Sequence, residues 1–590
     1  MKSLYFTIGV CSLLTFSLAQ AKQSKLDLDE PYLLLATSTT SSLQKELAEA
    51  VAAGYRVATA WSGTESGELL VLVEKQQPPQ QRELKLVAAL RLETLEAELK
   101  AAGAEGFRLL PRGLLVNPML SGPDGEEIVL PLARASGSTE TYEYMIETVT
   151  SDYNYVPGTV ALTGTLDKAP LQGALRQAAR TGYNVVGLVS RSKDVEGPEI
   201  AGVEVHRVRR VEYILIAEKK SGTPKPHAGG DRYRLVAGAG ASLQNALNEG
   251  AAAGYRLFLT TQPPPPINRP ESDYGEGGAF EPPFPEVVLV MEKLAEPSDT
   301  YMYRIMHSAG PTTLRYQMTS AATRGYRPYP GAAFSNPLTV VMERAPGEQA
   351  QHDYVVLETR RTSTMEDEVI DSSEDGFVVI GGGLSQQNQH LVILEKSLEA
   401  RAEAATPPVL FPSPTVFGMA LGGRPITLKT RKTETMEKEL NEAASEGYRI
   451  LATATPAADP ILGGELSLTL VQLAALPTMF EYVVLGTTRM TTLQKELNEA
   501  ATKGYRLMPA TMLLKKSAFR GTEVIAIMEK EPAPQSYYEY AVIDAVREST
   551  LEKEIAKLMT EGYEIVASAN RENEHLVLLE RLKPLPDTPS

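Results

Sequence analysis

Six histidines are the residues of this chain best suited to metal binding or general-base catalysis, because imidazole is a common metal ligand and titrates near neutral pH. They fall in different parts of the sequence, and none has the H-x-x-x-H spacing that places two ligands on one helix face. Positions on the surface or at strand edges are the simpler interpretation. These residues are His206, His227, His307, His352, His390 and His575.

Other catalytic patterns are missing from the sequence. It has no G-x-S-x-G turn for a serine nucleophile, no phosphate-binding loop and no dinucleotide fingerprint. Gly381-Gly382-Gly383 is a weak glycine signal that a turn would explain. We therefore predict no catalytic residue, no cofactor-binding residue, no metal ligand and no cofactor. Acidic pairs are too common to single out, so carboxylate chemistry is the enzymatic alternative left open.

Two charged positions recur at a fixed place. A Glu-Lys or Glu-Arg pair ends most of the apolar strands, and it is either a repeated binding row or a solvated strand end with an ion pair of small effect. We favour the strand end. The pairs are Glu74-Lys75, Glu292-Lys293, Glu343-Arg344, Glu395-Lys396, Glu529-Lys530 and Glu580-Arg581.

An arginine follows a Gly-aromatic pair in six places. It could line a groove, or it could bind the strand-end carboxylate on the adjacent strand of its own repeat. We favour the ion pair. These arginines are Arg56, Arg108, Arg256, Arg327, Arg449 and Arg506.

These positions belong to a motif that the chain carries nine times. Each copy begins at Leu or Met, continues as an amphipathic helix, and reaches a glycine eleven residues later. The glycine is followed by Tyr or Phe, which we expect to be packing residues. The glycines are Gly54, Gly106, Gly182, Gly254, Gly325, Gly376, Gly447, Gly504 and Gly562.

The eighth copy, 493–506, shows what each position is expected to do. Leu493, Leu497, Ala500 and Ala501 recur at helical spacing and form an apolar face. Thr491 with Gln494 fits a capping box, and Ser41–Gln44, Ser363–Glu366 and Ser549–Glu552 repeat that spacing. Gly504 is expected in the left-handed conformation just past the helix, where a side chain is disfavoured.

The pattern predicts an α+β fold of nine tandem βαββ repeats, each a three-stranded sheet with one helix on one face. The third strands are continuous apolar runs, such as Leu69 to Val73, which indicates burial on both faces. We expect each third strand to lie between the first and second, antiparallel to both. Because one helix covers one face only, we predict that neighbouring repeats are paired, with their sheets joined edge to edge or face to face.

The repeat resembles a family of short bacterial βαββ domains of unknown function. The likeness is carried by a Y-x-Y strand, an L-N-E helix and a Gly-aromatic pair, as in Tyr538-Glu-Tyr540, Leu497-Asn498-Glu499 and Gly504-Tyr505. This chain departs from that pattern in having Tyr or Phe where the family most often has Trp, and in its tandem array. The resemblance implies the βαββ fold and no catalytic residue.

The predicted boundaries follow the spacing of the glycines. They are signal peptide 1–21, repeats at 22–76, 83–134, 141–220, 231–294, 300–344 and 352–396, a linker at 397–414, repeats at 415–475, 479–530 and 537–582, and a tail at 583–590. The linker suggests a six-unit part followed by a three-unit part. The third repeat carries an insertion at 151–170 and a hairpin loop at 191–207, and the fourth carries a proline-rich loop at 262–285.

The N-terminus predicts export. Lys2, an apolar run from Leu4 to Leu18, and Ala19-Gln20-Ala21 are typical of a signal peptide cleaved after Ala21, so we expect a periplasmic or secreted protein without a membrane span; a single membrane anchor is the alternative. The one cysteine, Cys11, lies inside this segment. A net charge of −16 with no basic run disfavours nucleic acid as a partner.

Two functions fit these features. The first is a non-enzymatic interaction scaffold, whose partner would be another envelope or extracellular protein and whose best contact element is the loop 262–285. The alternative is small-ligand or glycan binding in clefts between paired repeats. It is suggested by the tyrosines of the first strands, Tyr142 with Tyr144, Tyr301 with Tyr303 and Tyr538 with Tyr540, and more weakly by Trp61, the single tryptophan.

Overall fold

The computed structural model describes most of the chain. The described residues are 26–63, 67–122, 125–155, 162–163, 166–196, 207–223, 231–238, 240–261, 287–295, 301–334, 338–347, 351–385, 389–398, 426–450, 457–458, 466–472, 480–508, 511–517, 521–530, 536–571 and 574–584. The insertion tips, the proline-rich loop, His206 and His227 lie outside them, as do linker residues 399–414 and tail residues 585–590. Residues 397–398 and 583–584, predicted as linker and tail, are the ends of strands.

A strand, a helix and two or more further strands recur along the described chain, and we call each recurrence a unit. The first unit comprises β1 (Tyr32–Thr37), α1 (Thr40–Ala52), β2 (Tyr55–Ser62) and β3 (Leu69–Lys75). The second comprises β4 (Arg82–Ala89), α2 (Leu92–Ala104), β5 (Arg108–Leu109), a 3-10 turn (Pro111–Gly113), β6 (Leu115–Gly122) and β7 (Gly125–Ala135). The third comprises β8 (Tyr142–Tyr155), β9 (Leu162–Thr163), α3 (Lys168–Thr181), β10 (Asn184–Glu196) and β11 (Arg207–Lys220).

The next three units have the shortest element lists. The fourth comprises β12 (Tyr233–Gly238), α4 (Gly240–Ala252), β13 (Tyr255–Thr260) and β14 (Val287–Lys293). The fifth comprises β15 (Met302–Ser308), α5 (Pro311–Ala322), β16 (Arg327–Phe334) and β17 (Leu338–Arg344). The sixth comprises β18 (Gln351–Thr359), α6 (Thr362–Glu374), β19 (Val378–Leu384) and β20 (His390–Leu398).

Three more units follow the linker. The seventh comprises β21 (Ile426–Thr430), α7 (Thr433–Ser445), β22 (Tyr448–Ile450), β23 (Ala457–Ala458) and β24 (Leu466–Gln472). The eighth comprises β25 (Tyr482–Thr487), α8 (Met490–Ala501), β26 (Tyr505–Leu507), β27 (Leu513–Ser517) and β28 (Gly521–Lys530). The ninth comprises β29 (Ser536–Ala545), α9 (Glu548–Thr560), β30 (Glu564–Arg571) and β31 (Glu574–Pro584).

Each unit forms its own antiparallel sheet with the last strand in the middle. In the first unit the order is β1-β3-β2, and in the other units the last strand likewise lies between the first strand and the strand that follows the helix; in the third unit β9 is added outside β8. The predicted central position of the apolar strand is therefore confirmed. The nine motif glycines all have positive φ, as expected for a residue that ends a helix in the left-handed conformation.

Two sequence predictions fail within the units. The capping boxes do not form, because the four helices begin earlier than predicted. The N-cap residues of α6, α8 and α9 are arginines without a side-chain cap bond, and α1 is capped by Thr39, whose side chain accepts from Ser42 N, and not by Ser41. In the third unit, residues 151–155 and 191–196 are strand and not loop, since β8 and β10 pair with β11 in regular register beyond the length of the other sheets.

Neighbouring sheets do not join edge to edge, as one predicted arrangement required; a helix lies between them. Leu69, Val71 and Val73 of β3 pack on α1, whereas Leu70 and Leu72 face the other way. That second face packs on Met365 and Val369 of α6. Both faces of the strand are covered, one by its own helix and one by the helix of another unit.

The first six units form a closed ring. Each of α1 to α5 contacts the first strand of the next unit, and α6 contacts β1. The second strands also meet their neighbours, with β16 against β19 and β19 against β2, so they form the inner wall. Six helices therefore alternate with six sheets and return to the start.

The last three units form an arm that stacks in the same way, α7 on β25 and α8 on β29. The arm does not extend the ring from the sixth unit. Its last helix, α9, instead packs beside α5, and β30 lies near β15.

Every unit has two ends. At the latch end, Tyr32 of β1, Arg56 of β2 and Glu74 of β3 lie in register. At the hairpin end, β1 leads into α1 and β2 turns into β3. In neighbouring units the latch end of one contacts the latch end of the next, and hairpin ends are likewise adjacent. The six hairpin ends of the ring therefore lie on one side.

Candidate functional site: the junctions between units

Five of the six recurring arginines bind a carboxylate across a junction and not within their own unit. Each latch consists of an arginine at the start of a second strand and the glutamate at the end of the next unit's third strand. The contacts are Arg108 Nε–Glu218 Oε1 at 2.9 Å, Arg256 Nη2–Glu343 Oε1 at 2.7 Å, Arg327 Nε–Glu395 Oε2 at 2.8 Å, Arg449 Nε–Glu529 Oε2 at 3.0 Å and Arg506 Nη2–Glu580 Oε1 at 2.9 Å.

The latch glutamates are buried, which corrects the solvated strand end favoured from the sequence at those positions. Glu74 and Glu292 lie outside the latches, and their side chains are 21% and 28% exposed. Glu395 is 2% exposed, and Glu529 is 7% exposed. Burial raises the pKa of Glu580, against the opposing effect of Arg506. A buried carboxylate that lost its arginine would be left in an apolar environment, so these pairs fix which units are neighbours.

A tyrosine of the first strand completes the latch. The Tyr482 hydroxyl accepts a hydrogen bond from Ile450 N of the preceding unit at 3.3 Å and donates one to Glu529 Oε2 at 2.7 Å. Tyr303 makes the same two contacts, with Leu257 N at 2.7 Å and Glu343 Oε2 at 2.8 Å. Each hydroxyl thus joins two units through one backbone and one side-chain bond.

The remaining members of the repeated motif also pack at the latch end. The first aromatic residue of the Y-x-Y strand lies against the arginine, with Arg506 Cζ 4.3 Å from the Tyr538 ring centre and Arg449 Cζ 4.4 Å from that of Phe480. The basic residue after the glutamate lies over the Gly-aromatic ring of its own unit, as Lys530 does over Tyr505 at 5.3 Å. Such contacts are cation–π interactions.

The junction between the first and second units has the arginine of the latch but lacks its tyrosine and glutamate. The second unit has Leu84 and Ala133 at the tyrosine and glutamate positions, which face each other in register. Arg56 has no carboxylate to reach there, and it binds Glu74 of its own unit at 2.7 Å. That pairing is the one predicted from the sequence, and it occurs where the latch is missing.

The junction between the sixth and first units closes the ring. It keeps the tyrosine contact of the latch but has no arginine. Val378 occupies the arginine position, yet the Tyr32 hydroxyl still accepts from Val379 N at 3.3 Å. Burial raises the pKa of Tyr32 to about 12, so the hydroxyl stays neutral at physiological pH. The first unit is therefore joined to the sixth as other units are to their predecessors.

Helix side chains of the predicted capping boxes serve the next unit instead. Val542 N donates to Gln494 Oε1 at 2.9 Å, and Leu34 N donates to Glu366 Oε1 at 3.0 Å. Asn498 of the L-N-E motif binds both backbone groups of Tyr540, at 2.8 and 2.9 Å. The first strand of each unit lies at the edge of its sheet, so its outward backbone N–H and C=O groups have no strand partner. The helix side chains of the preceding unit form hydrogen bonds with these groups.

Trp61 and His390 meet at ring closure, where both are buried. Trp61 Nε1 donates to His390 Nδ1 at 3.3 Å, and burial lowers the pKa of His390, which keeps that nitrogen an acceptor. His352 is also buried, so a surface position is wrong for these two histidines. Within the described residues no three His, Cys, Asp or Glu side chains are grouped to hold a metal ion.

The glycine run 381–383 lies in β19 and not in a turn. A Cβ on Gly382 would stand 3.0 Å from Thr59 Cγ2 and 3.0 Å from Trp61 Cζ3. A side chain at position 382 would force its neighbours to move, because two second strands approach closely at the inner wall. A shallow crevice beside it is lined by Tyr329, Gly331 and Ile380 among others.

A second polar junction lies at the hairpin end, between the second and third units. Arg191 is 2% exposed and binds Glu212 Oε2 at 2.7 Å and the carbonyl oxygens of Leu90 and Glu126 at 2.6 and 3.0 Å. Ser192 N donates to Glu126 Oε2 at 2.8 Å. The long strands of the third unit are thereby fixed to their neighbour.

Sequence reasoning identified the charged and aromatic positions but missed that they join different units. One signal was available: the tyrosine and the glutamate disappear together in the second unit and again in the seventh, where Pro425 and Val471 replace them. Two residues that are lost from the same copies of a repeat are expected to take part in one contact.

No protein family model, no curated protein and no solved structure matches this chain. The helices within the described residues include none that combines the length and the apolar character needed to cross a membrane.

Proposed function

We propose that this chain is an exported, non-enzymatic interaction scaffold built from nine βαββ repeats. One observation carries the proposal: the polar residues that the repeat conserves between its copies are occupied in contacts between units. Tyrosine, arginine, glutamate and the helix amide side chains each have a junction partner. The repeated polar residues therefore specify how the units pack together. We assign recognition of a partner to the features that differ between the units.

The hairpin ends are the proposed contact surface. They lie on one side of the ring, and the turns between second and third strands differ in length from unit to unit. β13 ends at Thr260 and β14 begins at Val287, so the strands that precede and follow the proline-rich sequence 262–285 have these ends on this side. Leu90 and Leu120 of the second unit are also exposed there.

The aromatic residues that suggested glycan binding are engaged in contacts between units. Tyr144, Tyr303 and Tyr540 are buried and bonded within junctions, and Tyr142, Tyr301 and Tyr538 lie against latch arginines. Trp61 is 2% exposed. The engagement of these aromatic rings at junctions favours the scaffold over small-ligand or glycan binding in clefts between repeats.

A photo-crosslinking amino acid tests the proposed surface in cells. Leu120 at the hairpin end and Leu398 at the latch end are matched positions in the ring, with exposures of 47% and 40%. We expect one reproducible protein adduct from position 120 and none from 398, and loss of the adduct when residues 262–285 are replaced by a short Gly-Ser segment. Adducts at both positions alike, or at neither, would argue against the proposal.

Export is the second part of the proposal. The basic start, the apolar run and Ala19-Gln20-Ala21 support it. Mass spectrometry of the protein recovered from periplasm and medium is expected to give an N-terminus at Lys22. An intact N-terminus on cytoplasmic protein would refute export.

A further inference from the structure

One arginine beside the inner wall makes no hydrogen bond and no ion pair within the described part of the chain. It is Arg112, in the 3-10 turn of the second unit. The turn packs on β2, because a Cβ on Gly113 would stand 3.4 Å from Val57 Cγ1. Val57 follows Arg56, which marks the latch end of β2. Arg112 therefore lies at the latch end of the ring, beside the first unit.

Tyr329 of β16 approaches Arg112 from the opposite side of the ring. Its hydroxyl donates to the carbonyl oxygen of Phe258 on β13 at 2.9 Å, which holds it near the start of both strands. The second and fifth units are three places apart in a ring of six, so they face each other across its axis. Burial and then Glu343 raise the pKa of Tyr329 to about 12, and the charges of Arg256 and Arg112 oppose the rise. Groups from opposite units therefore meet on the axis.

Arg112 lies in a recess that is open to solvent. The residue is exposed, yet desolvation by the surrounding protein is the first cause that lowers its pKa, and the charge of Arg56 is the second. Protein atoms therefore surround the guanidinium without covering it. The side chains of Arg56 and Arg256 are also accessible, with 53% and 44% of their surface exposed.

The charges around this recess leave one cation in excess. Arg56 is neutralised by Glu74 at 2.7 Å and Arg256 by Glu343 at 2.7 Å, so the charge of Arg112 remains. A partly desolvated cation beside a second cation costs free energy unless an anion compensates it. Guanidinium groups bind oxyanions through paired, charge-assisted hydrogen bonds.

We propose that the recess binds a phosphate group, either free phosphate or that of a small phosphorylated molecule. Arg112 supplies the paired contact. Arg56 and Arg256 bind their glutamates through Nε and Nη2, which leaves the Nη1 group of each for the ligand. Phosphate has several acceptor oxygens and more than one negative charge, so it suits donors that come from different sides of the axis better than a planar carboxylate does. The site lies at the latch end and is independent of the partner proposed for the hairpin ends.

Calorimetric titration of the full chain with inorganic phosphate tests this site. Arg112→Gln removes the excess guanidinium. The matched control is Arg180→Gln, which removes an exposed arginine from the last turn of α3. We expect the parent and the control to bind phosphate alike, and Arg112→Gln to bind about 10- to 100-fold more weakly, as the loss of a charge-assisted contact implies.

Thermal melting of the same proteins separates loss of binding from loss of folding. Without phosphate, Arg112→Gln is expected to melt no lower than the parent, because the substitution removes a cation that its surroundings disfavour. With phosphate, the parent and the control are expected to melt at a higher temperature, and Arg112→Gln is expected to stay unchanged.

Phenyl phosphate and acetate are the two further ligands to be titrated. Tighter binding of phenyl phosphate than of inorganic phosphate would identify a phosphorylated molecule as the ligand, and the reverse order would identify the free ion. The proposal would be overturned by a parent that binds no phosphate, by equal binding to Arg112→Gln, or by tighter binding of acetate. A lower melting temperature of Arg112→Gln in phosphate-free buffer would also overturn it, because it would show that Arg112 has a structural role.

Discussion

At the scale of single residues, the stability of the molecule depends on buried charges that lie between units. Glu529 is held by Arg449 and Tyr482, one from the preceding unit and one from its own. Removing one member of a buried pair leaves the other without compensation, which is more harmful than removing both. Each latch therefore works as a contact that specifies the neighbouring unit and not as a surface ion pair.

Glu529→Gln is expected to weaken the junction between the seventh and eighth units by about 3 kcal/mol, because Arg449 stays buried without a counter-charge. The measurement is hydrogen exchange of the segments around Ile450 and Tyr482, which should accelerate roughly hundred-fold. Glu83→Gln is the matched control, since Glu83 is 46% exposed and its pair with Arg134 lies within one unit; it is expected to cost less than about 1 kcal/mol. Equal effects of the two substitutions would refute the latch.

Ring closure should depend on pH through Glu366. Burial is the main cause that raises the pKa of this carboxyl, which accepts the Leu34 amide. Its contribution to stability is therefore present below the ordinary glutamate pKa of about 4.3 and is lost as the pH rises through the raised value in the folded state. The equivalent position holds glutamine in four other units, at Gln44, Gln172, Gln244 and Gln494.

Glu366→Gln is thus expected to stabilise ring closure at pH 7 by about 0.5–1 kcal/mol, with the gain disappearing near pH 4. Trp61 is the single tryptophan and lies in this junction, so its fluorescence during urea unfolding reports the effect directly. Gln44→Glu provides the reciprocal control in the next junction. A gain that is unchanged at pH 4 would show that ionisation of Glu366 is not its cause.

At the scale of elements, the inner wall depends on how closely the second strands approach. β19 meets β2 through Gly382, whose neighbours leave no space for a methyl group. A methyl group added to the adjacent Gly383 would instead have no other atom within 4 Å. Two successive glycines of one strand are therefore under different constraints.

Gly382→Ala is expected to destabilise ring closure by about 1–3 kcal/mol, because an added methyl group forces Thr59 and Trp61 to move. Gly383→Ala should change the free energy of unfolding by less than about 0.5 kcal/mol or raise it slightly. Trp61 fluorescence again separates the two variants. If both substitutions had the same effect, the close approach of β2 and β19 would be wrong.

At the scale of the whole molecule, the units could be predicted from sequence and their arrangement could not. The central strand, the helix and its glycine stop follow from local periodicity. Closure of the ring joins Leu34 to Glu366, and it depends on the small rotation between successive units, which no single repeat encodes. The predicted capping boxes failed for the same reason, since Gln494 bonds a strand that lies in the next unit.

The most direct test of the closed ring is a disulfide between the first and sixth units. An atom at the Thr59 Cγ2 position lies 3.0 Å from a Cβ on residue 382, about the separation between one Cβ and the partner sulfur in a disulfide. Cys11 is the one cysteine, so protein that begins at Lys22 has no other thiol. Thr59→Cys with Gly382→Cys is expected to oxidise almost completely within one molecule, detected as a linked peptide pair by mass spectrometry. Folded protein in which these two thiols remain free, or link no better than Thr59→Cys with Gly383→Cys, would contradict the closed ring.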